Sequence, residues 1–215
     1  MSNPNQAALE HLRIIRSLME RAHVYRALSA PAAMLGGLLA MAASGYLLWR
    51  GKSVAISGDT FLWVWLGILG ISAIANMLLL ARDAARRGQP VVSDGMRTAS
   101  RTLAPPLLAG GVLGIGCVLH LDAVSLAATI WVICYGLALL ASAGFSPKSL
   151  VWLGRIFFLT GLILFGLSFL SPLGWGFFDR AIATIIMGAT FGFYHVVYAT
   201  ALFIRGTEST IPAIE

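Results

Sequence analysis

One histidine inside a nearly unbroken apolar run has the greatest chemical capacity in this chain. His195 lies in RAIATIIMGATFGFYHVVYATALFI, residues 180–204, a run long enough to cross a bilayer as a single helix. An imidazole held in lipid can relay a proton, ligate a metal or haem, or hydrogen-bond a neighbouring helix, and it normally faces the protein interior. Asn76, Arg155, Tyr135, Tyr194 and Tyr198 fall at similar depth in their own apolar runs. With a rise of ~1.5 Å per residue, His195, Asn76 and Arg155 differ in depth by about a turn. A buried polar cluster of these six side chains near the cytoplasmic face is therefore geometrically open. Each also has a plainer use. Arg155 can snorkel to lipid phosphates, Asn76 with Ser72 one turn before it suits interhelical hydrogen bonding, and His195 can bond a carbonyl or a tyrosine.

Spacing favours the plainer use for the histidine. At ~100° per residue, Thr184, Gly188, Gly192, His195 and Ala199 fall within roughly 80° of one another. Small residues on one face let a second helix approach closely. The run therefore reads as a helix-packing stripe with the imidazole on it.

Other chemistries lack their matching parts. No carboxylate lies inside any apolar run, so paired-carboxylate catalysis and an Asp/Glu proton relay have no residues to use. Ala43-Ser44-Gly45 and Ser142-Ala143-Gly144 do not match the Gly-x-Ser context of a rhomboid-like serine nucleophile. There is no HExxH, no CxxC and no Cys/His cluster, and Cys117 and Cys134 both fall inside apolar runs. His120 and His195 lie towards opposite faces and make a poor pair of ligands for one haem. Gly110-Gly111 and Gly114-x-Gly116 have no strand before them and read as packing, not as a phosphate loop. The expectation is that the chain has no catalytic residue, no metal site and no cofactor. A single-histidine ligand to a pigment, as in a cofactor-binding redox subunit, is a remaining alternative.

The elements that must position His195 follow from composition. Hydrophobic residues make up 58% of the chain and charged residues 11%, against about 25% charged in a soluble domain. The class is an all-α polytopic membrane protein. Six spans are expected, at about 32–49, 60–80, 104–121, 124–142, 150–171 and 180–204. Pro31 suits the start of the first span, and Pro105 and Pro106 suit the first turn of the third. Ser93 or Asp94 suits the cap of a short surface helix before that third span. No proline falls in mid-span, which argues against the broken helices of many transporters.

Residues 1–30 precede the six-helix domain of 31–204, and residues 205–215 form a tail. Within the first segment, QAALEHLRIIRSLMERAHVYRAL places Ile14, Tyr25, Leu18, Ala22, Ile15, Met19 and Leu12 on one arc. Charged residues fill the remainder of the wheel. A basic helix of this kind next to a span is expected in the membrane interface, or docked on the bundle or on a partner.

Orientation follows from the cations. With the N-terminus inside, Arg13, Arg16, Arg21, Arg26, Arg82, Arg86, Arg87, Arg97, Arg101, Lys148, Arg155 and Arg205 are cytoplasmic, leaving Arg50, Lys52 and Arg180 outside. Both termini are thus expected in the cytoplasm. The net charge of +6 belongs to membrane anchoring and not to nucleic-acid binding. RALSAPAAMLGGLLAMAASGYLL and RTLAPPLLAGGVLGIGCVLHL share an Arg-x-Leu start, an Ala-Pro entry and a Gly-Gly pair, a pattern that suggests a repeated two-helix hairpin.

ALEHLRIIRSLMERA, LAPPLLAGG, ICYGLALLASAGFS and GFYHVVYA together resemble an uncharacterised family of small bacterial six-span integral membrane proteins. The resemblance spans most of the chain and implies fold and a bacterial inner-membrane location, without an activity. A shorter likeness, confined to GLILFGLSFLSP, is to bacterial acid-resistance membrane proteins built from repeated hairpins. The function these observations favour is a non-enzymatic accessory, sensory or assembly component of the cytoplasmic membrane. Its expected partners are the lipid bilayer and a membrane protein or a second copy of itself. The alternative is a small-solute or proton-linked transporter with an inner vestibule near His195.

Overall fold

A backbone in hydrocarbon must pair every amide within its own segment, so apolar runs of this length fold as helices. The computed structural model describes residues 29–86, 88, 94–170 and 179–208, together with Arg13, and in them the chain is all-α. The helices are α1 (Ala30–Gly51), α2 (Gly58–Arg86), α3 (Asp94–Leu121), α4 (Val124–Ala141), α5 (Lys148–Leu170), α6 (Asp179–Met187) and α7 (His195–Glu208). A π-helical segment, Gly188–Tyr194, joins α6 to α7 without a break. Six stretches are long and apolar enough to cross a membrane: Ala30–Gly51, Gly58–Arg86, Met96–Leu121, Val124–Ala141, Lys148–Ser168 and Arg180–Ile204. The protein is a polytopic membrane protein. The expected amphipathic helix and the tail after Glu208 lie outside the described residues, except that Arg13 is helical and exposed.

Pro31 occupies the first turn of α1, where its missing amide hydrogen costs nothing. The third span departs from expectation. The surface helix and the span are one continuous helix, and Pro105 and Pro106 sit well inside it. Each proline removes one bond to the carbonyl four residues back. The loss is local, because the segment on either side supplies enough turns to continue.

α4 is the centre of the molecule. Val124, Ala128, Val132 and Leu139 join a core shared with Ala40 of α1, Phe61 and Trp65 of α2, Phe157 of α5, Ala183 of α6 and Tyr198 of α7. On its other side, Ala127 meets Cys117 and Val118 of α3 and Leu62 of α2 in a second cluster. Glycines set the spacing. A Cβ on Gly136 would come within 2.5 Å of the Phe158 backbone nitrogen, and one on Gly154 within 2.8 Å of Leu139 Cβ. A Cβ on Gly114 would strike the Trp131 ring. Helices in lipid gain little from apolar burial alone, so close backbone approach of this kind is what holds α3, α4 and α5 together.

Three buried hydroxyls bond carbonyls three or four residues back in the chain. Thr129 Oγ1 donates to the Ser125 carbonyl at 2.9 Å, Thr190 to Ile186 at 2.7 Å and Ser142 to Leu139 at 2.7 Å. Between α3 and α4 the chain turns at Asp122, whose φ of 49° is left-handed. There the Ala123 amide reaches back to the Cys117 carbonyl at 3.0 Å. The Asp122 carboxylate accepts two hydrogen bonds of 2.7 Å from Nη2 of Arg180, at the start of α6.

α2 is the least embedded helix. Its buried side chains, Phe61, Leu62 and Trp65, all belong to its first half, while Leu69, Ile71, Ile74, Met77 and Leu78 are exposed. Farther along α2, Ser72 Oγ lies where a Cβ on Gly36 of α1 would meet it at 3.0 Å.

Candidate functional site

The packing stripe and the histidine separate in space. Ser44 Oγ of α1 donates to the Thr184 carbonyl at 3.1 Å, and a Cβ on Gly188 would meet Ser44 Oγ at 2.5 Å. A Cβ on Gly192 would meet Met41 Cγ at 2.6 Å, and Gly37 of α1 lies against Val196 and the Gly192 carbonyl. Ala199 is fully buried. This face of the last span therefore seats α1. His195 turns elsewhere, towards α4 and α5, so its expected place on the stripe is corrected.

The π-helical segment is the cause. Its hydrogen bonds reach one residue farther than those of an α-helix, so each turn holds about one residue more. Residues beyond it lag behind the angle a uniform α-helix would give them. Gly188 and Gly192 can thus face α1 while His195, at the start of α7, points into the neighbouring interface.

There the imidazole meets a hydroxyl and a set of rings. Nε2 of His195 lies 2.8 Å from the Tyr135 hydroxyl of α4. With the tyrosine donating, Nε2 is the acceptor and the ring proton belongs on Nδ1, a tautomer assigned from the bonding pattern. The edge of Phe157, from α5, faces the imidazole at 5.4 Å between centroids and 68° between planes. Phe191, from the π-helical segment, stacks on it at 6.2 Å and 13°. Nδ1 is buried without a hydrogen-bond partner of good geometry; the Phe191 and Thr190 carbonyls are the acceptors its own helix holds close to the ring.

Phe157 is the hub of this arrangement. It is fully buried and also packs against Tyr135 at 4.8 Å, Phe191 at 5.2 Å and Tyr194 at 5.5 Å. The Tyr194 hydroxyl pairs with Thr160 Oγ1 of α5 at 3.1 Å. Two tyrosine hydroxyls, one imidazole and one threonine hydroxyl thus bridge α4, α5 and the last span, closed in by phenylalanines.

The other expected members fall into three groups. Tyr198 is buried in the core beside this cluster. Asn76 is half-buried on α2 and engaged in an interaction of its own, but the contacts of His195 are with Tyr135, Phe157 and Phe191. Arg155 stands apart as well. It is exposed on α5, with its guanidinium carbon 5.0 Å from the Trp152 ring centroid.

Phe157, Phe191 and Thr160 are site residues absent from the expected cluster. A signal for Phe157 was present in Gly154-x-x-Phe157-x-x-x-Gly161. That spacing marks the face of α5 nearest α4, since a Cβ on Gly161 would meet Ile133 at 2.5 Å. Cys117 and Cys134 are free thiols, and among the described residues no three His, Cys, Asp or Glu side chains group as metal ligands would.

The arrangement can hold three helices in register through hydrogen bonds that have no water to compete with them. It can also share one proton between Tyr135 and His195. Compared with protein-family models, curated proteins and solved structures, the chain matches none, so its six membrane-spanning helices are what define it.

Proposed function

We propose that the protein is a non-enzymatic accessory, sensory or assembly component of the bacterial cytoplasmic membrane, with the His195–Tyr135 pair as an internal fastener of its bundle. The observation that carries this reading is the packing of the half-buried imidazole. Its Nε2 is engaged by Tyr135, its Nδ1 is buried, and the ring packs against Phe157 and Phe191. A translocation pathway needs polar groups turned towards water, whereas a fastener needs them packed against one another. The glycine-set contacts of α4 with α5 support the same reading, because they leave little room for helices to rock.

Replacing His195 by cysteine tests it. In membranes, the thiol should resist a small water-soluble maleimide added to either side, as a residue closed in by rings must. Labelling as fast as that of a cysteine placed at exposed Lys52 would instead support the solute- or proton-linked transporter. One observation favours that second reading: Nδ1 is buried with no partner of good geometry, and its N–H is a donor to which an acceptor oxygen of a passing solute can bind.

A further inference from the structure

α5 presents a second polar feature, on the side facing away from the bundle. At ~100° per residue, Lys148, Trp152 and Arg155 lie within roughly 60° of one another. All three are exposed, Trp152 by 60%. The same face continues through Leu159, Leu162 and Ile163, which are exposed too, and through Gly166, beside whose Cβ position no atom comes within 4 Å. Two cations and an indole thus head a long apolar track on a membrane-spanning helix.

The direction of Arg155 is set by its neighbour. Its guanidinium lies over the Trp152 ring, one turn nearer the start of α5. The charge is therefore carried back along the helix towards Lys148 and the membrane surface, the direction in which a helical side chain leaves its Cα. Between Asp122 and Asp179 the sequence has no Asp or Glu, and among the described residues the Arg155 guanidinium lies against Trp152 and neither cation is in an ion pair.

A guanidinium at the edge of hydrocarbon needs an anion with several acceptor oxygens, and a phosphodiester suits its planar fork. An exposed tryptophan beside it belongs at the level of the glycerol and headgroups. The track below matches an acyl chain in chemistry and direction. We propose that the Lys148–Trp152–Arg155 face of α5 is a binding site for one anionic phospholipid of the leaflet where α5 begins. In it the phosphate sits between Lys148 and Arg155, the indole lies against the glycerol, and an acyl chain runs along Leu159, Leu162 and Ile163.

The test uses the full chain reconstituted in phosphatidylcholine vesicles containing phosphatidylglycerol, with one or the other lipid brominated on its acyl chains. Bromine quenches indole fluorescence on contact, and the difference between the protein and its Trp152→Phe variant isolates Trp152. Brominated phosphatidylglycerol should quench Trp152 with an apparent affinity about fivefold above that of brominated phosphatidylcholine, the scale of one basic side chain at an anionic surface. The preference should fall towards unity in Lys148→Gln/Arg155→Gln, whose folding is followed by its helical circular dichroism. Glycerol phosphate in the buffer should leave it unchanged, since a free phosphate lacks the acyl chain. Equal quenching by both lipids in the unaltered protein would overturn the proposal, as would a preference that survives the double substitution or is abolished by glycerol phosphate. Absence of quenching by either lipid would also overturn it, because a protein surface and not lipid would then cover this face.

Discussion

Tyr135 and His195 meet across 2.8 Å in a region without bulk water, and this contact sets what substitutions at either position should do. Tyr135→Phe keeps the ring that packs on Phe157 and Phe191 and removes only the hydroxyl, so stability should fall by about 1 kcal/mol. The coupling between Tyr135→Phe and His195→Ala, read from unfolding of the two single variants and the double variant in detergent, should be on the order of 0.6 kcal/mol. Strict additivity would show that the bond does not hold the helices. Asp122 makes a different case. Its two bonds to Arg180 join side chains 65% and 37% exposed, a setting in which an ion pair contributes about 1 kcal/mol or less. Its left-handed φ penalises any residue with a Cβ other than Asn or Asp. Asp122→Gly should therefore be nearly neutral in thermal unfolding and Asp122→Ala clearly worse, although both lose the same carboxylate. At this scale the sequence was half legible. A lone histidine in an apolar run announces itself, and Tyr135 was within reach on depth alone. Phe157 was not, because a phenylalanine in a membrane helix looks the same whether it faces lipid or caps an imidazole.

Helices in this bundle are fastened unequally, and glycine substitutions should expose the difference. A Cβ on Gly136 would lie 2.5 Å from the backbone nitrogen of Phe158, an atom that cannot swing aside, whereas Gly70 of α2 has nothing within 4 Å. Gly136→Val should cost about 3 kcal/mol or prevent folding. Gly70→Val should leave the melting temperature and the monodispersity in detergent unchanged. The number of spans was readable in advance, since the bilayer admits only long apolar helices. Two features were not readable. α3 continues through Pro105 and Pro106, since a proline removes one bond without ending a helix whose turns continue on both sides. The π-helical segment defeats any wheel drawn at a uniform angle, and no residue type within Gly188–Tyr194 signals the widened turn. That widening separated His195 from the glycine stripe it shares on paper.

Alternation of the six spans places Lys52 and Lys148 at opposite ends of the molecule, on either side of the expected bilayer. In whole cells, a membrane-impermeant maleimide should label a cysteine at position 52 and spare one at position 148, if the arginine-rich end is cytoplasmic as the cation count implies. The reverse pattern would invert the molecule; labelling of both would break the six-span arrangement. α4 lies at the heart of that arrangement and α3 covers one of its sides, the two joined through Asp122 and Ala123 alone. So short a connection has a consequence for biosynthesis. No polar loop is available to wait on the far side while the second helix is still being made, so α3 and α4 should leave the translocation channel together as one preformed pair. A ribosome-bound chain that ends after Leu121 would then hold α3 within the channel, and release to lipid should begin only once most of α4 has been synthesised.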